Sequence, residues 1–266
     1  MENKGPNRYT RILEAIFERY YKTGVSEIVF ERAEFNQVAD ELGIVLPKNL
    51  GDVLYSFRYR TVLPKSITSK APKGYEWIIG PAGKGRYRLV IVRQLLILPS
   101  SVLAETKIPD ATPGVIAAYS LSDEQSLLAK LRYNRLIDIF TGLTCYSLQS
   151  HLRTTLRDGS QVETDEIYIG LDKRGAHYVL PVQAKGGKDR IGVVQIEQDF
   201  ELCAIKFPNL ICRAIAAQFM EDNLIALFEF EQTNEGIKVS SEKHYRLVQP
   251  DELTSEDLQS YSLRQS

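Results

Sequence analysis

Three side chains at the end of what reads as one hairpin carry the chemistry this sequence offers. Asp165 lies in Val162-Glu163-Thr164-Asp165-Glu166-Ile167-Tyr168-Ile169-Gly170, and Gln183 and Lys185 lie in Tyr178-Val179-Leu180-Pro181-Val182-Gln183-Ala184-Lys185-Gly186. Strict alternation puts Asp165 on the face of Ile167 and Ile169, and Gln183 on the face of Lys185. The turn Asp172-Lys173-Arg174-Gly175 joins the two segments, so pairing between them brings Asp165 near Gln183 and Lys185. An acid, an amide oxygen and a lysine at the end of an apolar hairpin are costly unless they are used. Glu163 shares the Asp165 face; Glu166 reaches it only through a β-bulge. Other kinds of site are missing from the sequence. Gly80–Gly85 lacks the Lys-Ser/Thr ending of a phosphate-binding loop, and there is no Gly-x-Ser-x-Gly or His-Glu-x-x-His. His151, His177 and His244 are not at metal-ligand spacing.

The elements that must hold these residues follow from periodicity. Val162–Leu171 and His177–Lys185 read as strands, Arg190–Phe207 as a helix, and Leu210–Phe219, Leu224–Glu231 and Gly236–Val248 as further strands. Upstream, Ser122 and Gln125 form a capping-box pattern at the start of a helix carrying Leu127, Leu128, Leu131, Leu136, Ile137 and Phe140. Gly142 interrupts, and Cys145–Leu156 resumes the helical pattern, which sets Arg153 and Arg157 on one face. Residues 94–121, punctuated by Pro99, Pro109 and Pro113, read as an irregular connector, and the polar tail after Pro250 as loose.

The first part of the chain has a different order. Tyr9–Tyr21 is an amphipathic helix, Ser26–Phe30 a short strand, Glu31–Leu42 a second helix closed by Gly43, and Lys48–Tyr59 a third. Tyr75–Ile79 and Arg86–Val92 are strands joined by Gly80-Pro81-Ala82-Gly83-Lys84-Gly85. This is the order of a winged helix-turn-helix, with the third helix as recognition element and the hairpin as wing. Between Ser56 and Arg93 nine basic residues face one acid, Glu76, although the net charge of the whole chain is only -1. That local positive field points to DNA, gripped by Lys48, Asn49, Arg58, Arg60, Lys84, Arg86 and Arg88. Trp77 and Tyr87 read as hairpin core.

From Ser122 to Val248 the order of elements resembles the core of the PD-(D/E)XK nucleases: a helix, an Asp-bearing strand, a strand ending in (Asp/Glu)-x-Lys, a helix and further strands. With Gln183-Ala184-Lys185 as its third motif, the chain is similar to the Mrr-like branch of restriction enzymes, several of which also carry N-terminal winged helices. The resemblance implies an α/β fold: a restriction-endonuclease-like mixed-sheet core flanked by helices, preceded by an α+β winged-helix domain. It implies that Asp165 binds a divalent metal directly, that Gln183 offers its side-chain oxygen in place of the usual carboxylate, and that the Ala184 carbonyl is a further ligand. Lys185 would orient the attacking water or stabilise the developing phosphorane charge. Hard oxygen ligands suit Mg²⁺, with Mn²⁺ as a substitute. Thr164 stands where the family has Pro. Gln183 removes one negative charge, for which Glu163 and Glu166 are the nearest compensating acids. Gln195 falls where some branches have an active-site glutamine, and Asp138 or Glu124 would be a helical acid completing the metal shell. His151 either approaches the metal site or is an ordinary helix histidine. Arg153 and Arg157 would hold the DNA backbone, as would Lys188 and Arg190 at the start of the next helix.

Composition sets the remaining bounds. A hydrophobic share of 44% and a charged share of 25% fit an ordinary globular chain, and no apolar run approaches the ~18 residues of a membrane span. The first residues lack the apolar core of a secretion signal, and Cys145, Cys203 and Cys212 are too scattered for a disulfide framework, so a cytoplasmic, nucleoid-associated protein is expected. The expected organisation is a winged helix at 1–93, a connector at 94–121, a nuclease-like domain at 122–250 and a polar tail at 251–266. The expected function is a restriction or defence endonuclease that hydrolyses phosphodiester bonds of double-stranded DNA, as a homodimer where both strands are cut. The alternatives are a DNA-binding regulator that keeps the nuclease fold without cutting, and a winged-helix protein-interaction module.

Overall fold

The structure is a computed structural model that describes residues 8–47, 57, 63–93, 97–119, 123–157, 161–186, 189, 191–221, 223–234 and 236–264. The chain divides into two compact units, Met1–Leu96 with Thr155–Gln161, and Ile97–Thr154 with Val162–Ser266.

The first unit contains α1 (Arg8–Tyr20), β1 (Glu27–Glu31), α2 (Arg32–Glu41), a single turn α3 (Lys65–Thr68), β2 (Tyr75–Pro81) and β3 (Arg86–Arg93). Ile12, Leu13, Ile16 and Phe17 recur at helical spacing on α1, and alternation along β1 turns Ile28 and Phe30 inward. With Phe35, Val38, Phe57, Trp77 and Leu89 they form one core. The sheet order is β1-β3-β2, antiparallel throughout. Gly83 and Gly85, both at positive φ, let β2 turn tightly into β3. Trp77 stacks edge-on against Phe17 and Tyr21, and Tyr87 packs against Phe30, so both are core groups. The expected third helix lies outside the described residues apart from Phe57, and so do Lys48, Asn49, Arg58 and Arg60.

The second unit is built on a mixed eight-stranded sheet. Its elements are β4 (Glu105–Pro109), α4 (Gly114–Tyr119), α5 (Asp123–Tyr133), α6 (Leu136–Thr141), β5 (Thr144–Thr155), β6 (Gln161–Leu171), β7 (His177–Lys185), α7 (Val193–Lys206), β8 (Ile211–Cys212), β9 (Ala214–Phe219), β10 (Leu224–Thr233), β11 (Gly236–Val248), a 3₁₀ turn (Pro250–Glu252) and α8 (Ser255–Leu263). The strand order is β4-β11-β10-β9-β7-β6-β5, with β8 beside β7. β7 runs parallel to β9, and β4 parallel to β11; β6–β7, β9–β10 and β10–β11 are antiparallel. Leu180, Val182 and Ala184 of β7 enter a core with Leu127, Leu131, Leu136 and Ile137 of α5 and α6. Gln183, between them in sequence, reaches α7 instead. The helices α5–α6 and α7 therefore cover opposite faces of the sheet.

The segment expected as a helix over 145–156 is instead β5, Thr144–Thr155: Leu148, Leu152 and Leu156 mimic a helical repeat, but Gly142 at positive φ ends α6 and the segment pairs with β6. The supposed connector supplies β4 and α4, because β11 offers β4 a sheet edge that no local pattern announces. One expected helix is two, broken where Arg135 takes φ 50° and the Asn134 side chain bonds to residues 110–112. α7 starts at Val193 rather than residue 190, and the strand expected at 210–219 breaks at Arg213, whose side chain grips Glu229 at 2.5 and 2.6 Å. As far as residue 264 the tail is structured. Thr254 and Asp257 form a capping box for α8, Asp257 pairs with Lys107 at 2.9 Å, and the Lys107 N–H donates to Tyr261 Oη at 2.9 Å. Among the described residues no helix is long and apolar enough to cross a membrane.

Gly170 fixes how closely β6 packs on its surroundings. A Cβ there would stand 3.0 Å from both Leu143 Cδ1 and Leu180 Cδ1 and 3.4 Å from Cys145 Sγ. Gly170→Ala is expected to lower stability by about 1–3 kcal/mol in urea denaturation, as over-packing of a filled core does; an unchanged midpoint would mean the two leucines yield freely.

Candidate active site

The β6–β7 hairpin does not stay paired to its end. Its register runs from Leu171↔His177 to Glu166↔Val182. Beyond that, β7 keeps to β9 through Gln183↔Ala216, Ala184↔Ala217 and Lys185↔Gln218, while β6 keeps to β5. The strands fork, and Asp165 and Gln183–Lys185 lie on the two arms. Ala184, buried, donates its N–H to Asp165 Oδ2 at 2.8 Å, so a carboxylate replaces the missing main-chain acceptor. On an extended strand the N–H and C=O of one residue point to the same side, so the Ala184 carbonyl is directed toward that same edge.

β6 also changes phase here. Thr164 donates its hydroxyl to Asp199 on α7, whereas Glu166, two residues on, pairs with Arg132 on α5. Residues two apart on a regular strand share a face. These lie on opposite faces, so alternation slips around Asp165, which points into the fork rather than simply continuing the Ile167 and Ile169 face.

Gln183 is 1% exposed, and its amide is hydrogen-bonded at both its nitrogen and its oxygen. Nε2 donates to Asp199 Oδ2 at 2.9 Å and Oδ1 at 3.1 Å, and Oε1 accepts from Gln195 Nε2 at 3.3 Å. The oxygen that the sequence offers in place of a carboxylate thus carries one long bond, while the amide nitrogen is tied to an acid on α7. Gln195 Oε1 is buried without a hydrogen-bond partner among the described residues, an unmet acceptor beside the site.

Asp199, 2% exposed, is the residue sequence reasoning missed. A signal was present: Ile196, Asp199 and Cys203 form one inward stripe of α7, and an acid there interrupts an apolar face. Burial pushes its pKa up to about 7, against the hydrogen bonds from Thr164 and Gln183; the Asp165 charge adds to the rise and the Lys185 charge opposes it. Burial likewise raises the pKa of Asp165, opposed by Lys185, the Ala184 N–H and His151, with Glu163 reinforcing it. Asp165, Asp199 and half-buried Lys185 thus share one electrostatic environment.

The other expected acids are placed differently. Glu163 accepts from Arg153 Nε at 2.8 Å and lies 3.1 Å from His151 Nδ1. It extends the site toward β5, and His151 sits on that strand with φ 51° rather than on a helix. Glu166, fully buried, is held on the opposite face by Arg132 at 2.9 Å and by the Ser147 hydroxyl, so it does not complete the Asp165 site. Asp138 caps the Cys145 N–H at 2.9 Å and pairs with Arg135, remote in its bonding from the fork. The Glu124 side chain, Lys188 and Arg190 lie outside the described residues. Arg153 and Arg157 share no helix face: one is in β5, the other in the exposed turn after it. Lys84 and Arg86 are exposed on the β2–β3 hairpin, whereas Arg88 pairs with Glu27 at 3.2 Å.

Neither a family description, a curated protein nor a solved structure matches this chain. Among the described residues no three His, Cys, Asp or Glu side chains gather as a metal site. The oxygens that the two arms offer are of another kind: the Asp165 carboxylate, the Gln183 amide oxygen and, from the direction of the strand, the Ala184 carbonyl, with an unmet acceptor on Gln195. That set fits Mg²⁺, which keeps several waters and is commonly held by only one or two carboxylates.

The Asp199 environment has a measurable consequence without any metal. Its carboxyl ionises near pH 4 when unfolded and near 7 when folded, so its contribution to stability is full below pH 4 and is lost as pH rises through about 7. In chelator, stability from pH 5 to pH 8 should fall by roughly 2–3 kcal/mol more in the wild type than in Asp199→Asn. Parallel pH profiles for the two proteins would refute this assignment.

Proposed function

We propose that this protein is a metal-dependent DNA endonuclease of the PD-(D/E)XK type, serving restriction or defence. The observation that carries this reading is the fork, which sets Asp165 against the Ala184 N–H with Lys185 on the same arm. Support also comes from the order around it: α5 and α6, β5, β6, β7, then α7 leading to β9 parallel to β7. This is the helix, Asp strand, x-Lys strand, helix and strand sequence on which the resemblance rests.

The roles follow from the chemistry of each group. Asp165, Gln183 Oε1 and the Ala184 carbonyl would hold Mg²⁺ or Mn²⁺, which when bound supplies positive charge to the scissile phosphate. Lys185 brings a cation to the same arm, where it orients the attacking water or takes the negative charge that develops on the phosphoryl oxygens. Glu163, held by His151 and Arg153, keeps the β5 side of the site ordered. In the first unit, α1, α2 and the β1-β3-β2 sheet with its hairpin match the order of a winged helix. Lys84 and Arg86 at the hairpin tip would grip phosphates; Arg88, neutralised by Glu27, would contribute less. A DNA substrate places the protein in the cytoplasm at the nucleoid, and cutting of both strands calls for two copies.

One observation favours a second reading, a DNA-binding protein that has lost cutting: the Gln183 amide is already engaged by Asp199 and Gln195.

Cleavage of methylated and unmethylated plasmid and genomic DNA, with Mg²⁺ or Mn²⁺, separates the two. Metal-dependent cutting should drop by at least ~100-fold in Asp165→Ala and in Lys185→Ala. Binding without cutting on every substrate and metal would establish the second reading. Independently, replacing Lys84 and Arg86 together by alanine should weaken binding uniformly across sequences and reduce the salt slope of affinity by about 2; an unchanged slope would remove the hairpin from the DNA interface.

A further inference from the structure

The pairing of Gln183 with Asp199 bears on a problem peculiar to an amide at a metal site. A carboxylate presents an acceptor oxygen whichever way it turns. An amide has one oxygen and one NH₂ on a nearly symmetric frame, and half of its orientations would aim N–H groups at a cation. In this protein one orientation is selected from both ends. Nε2 donates to both oxygens of Asp199, at 2.9 and 3.1 Å. The Thr164 hydroxyl, on the other arm of the fork, donates to Asp199 Oδ1 and pins that carboxylate. Gln195 Nε2 donates to Gln183 Oε1 at 3.3 Å. An acceptor on the nitrogen side and a donor on the oxygen side agree on the same rotation, and a single long bond to Oε1 leaves its second lone pair for another partner.

We infer that Asp199 is a positioning residue: by taking the NH₂ of Gln183 it fixes the carbonyl oxygen as the atom left for a cation at the fork. This rests on the reading of the fork as a metal site. It explains how a neutral side chain holds a place where the resemblance has an acid, and why an acid is buried on α7 with no cation bonded to it in the described residues. A lone Asp199 would be a costly buried charge. Paired with Gln183 and Thr164 it is a fixed acceptor.

The test is calorimetric titration of Mn²⁺ and Mg²⁺ into the full chain without DNA, with thermal melting to check folding. Asp199→Asn presents either an oxygen or an NH₂ to Gln183 and abolishes the selection, so metal affinity should fall by about tenfold or more, as loss of an orienting partner does. The exchanged pair Gln183→Glu with Asp199→Asn keeps a hydrogen bond between β7 and α7 and makes orientation irrelevant, because both carboxylate oxygens accept. It should bind at least as tightly as the wild type. Loss of binding in both variants would make Asp199 itself a ligand and overturn the positioning role. Full binding in folded Asp199→Asn would overturn it as well. Should Asp199→Asn fail to fold, the exchanged pair decides alone: affinity about tenfold below wild type refutes the inference. A wild-type chain that binds neither metal would bring down the metal site and this inference together.

Discussion

A backbone N–H buried away from water must find an acceptor, and at Ala184 the neighbouring strand no longer supplies one. Asp165 answers that need with its carboxylate. The opening of the hairpin and the position of the acid are thus one event. The strands separate because β5 and β9 each hold on to one of them, and the acid is drawn into the gap because an amide there requires it. A side chain fixed in this way does not search rotamers, and an oriented carboxylate is what a cation or a polarised water meets at least entropic cost.

Around this point the protein keeps its acids in distinct surroundings. Glu163 faces solvent between an imidazole and a guanidinium. Glu166 is buried on the far face with Arg132 as counter-charge. Asp199 is buried, and burial holds its proton longer than usual against the pull of the neutral donors Thr164 and Gln183. Asp165 lies between these extremes, partly buried, with Lys185 close enough to oppose part of its desolvation. Neighbours in sequence thereby acquire different chemistry from the faces onto which the slipped strand turns them.

Much of this was legible in the sequence. The β6–β7 hairpin announced itself by alternating apolar residues on both sides of Asp172-Lys173-Arg174-Gly175, and the β2–β3 hairpin by its glycines. Asp165, Gln183 and Lys185 stood out as polar groups in apolar strands. The rest depends on partners distant in sequence. β5 looks helical because three leucines fall four apart, and only its place beside β6 makes it a strand. β4 has no pattern beyond five residues until β11 lies next to it. The phase slip at Asp165 follows from where α5 and α7 stand, which alternation along one strand does not contain. Asp199 was visible as an acid on an apolar stripe, yet its meaning appears only with Gln183 and Thr164 across from it.

The parallel pairing of β4 with β11 governs how the second unit comes together. Glu105 faces His244, about 140 residues further along the chain, and Lys107 is clasped by Asp257 and Tyr261 of α8. The hairpins of the unit close locally and early, while this edge waits for segments of high sequence separation to meet. A chain emerging from its N-terminus makes β4 before any other strand of the unit and gives it a partner last. Once formed, the seam ties the beginning of the unit to its end, so fraying of either terminus opens the same border of the sheet.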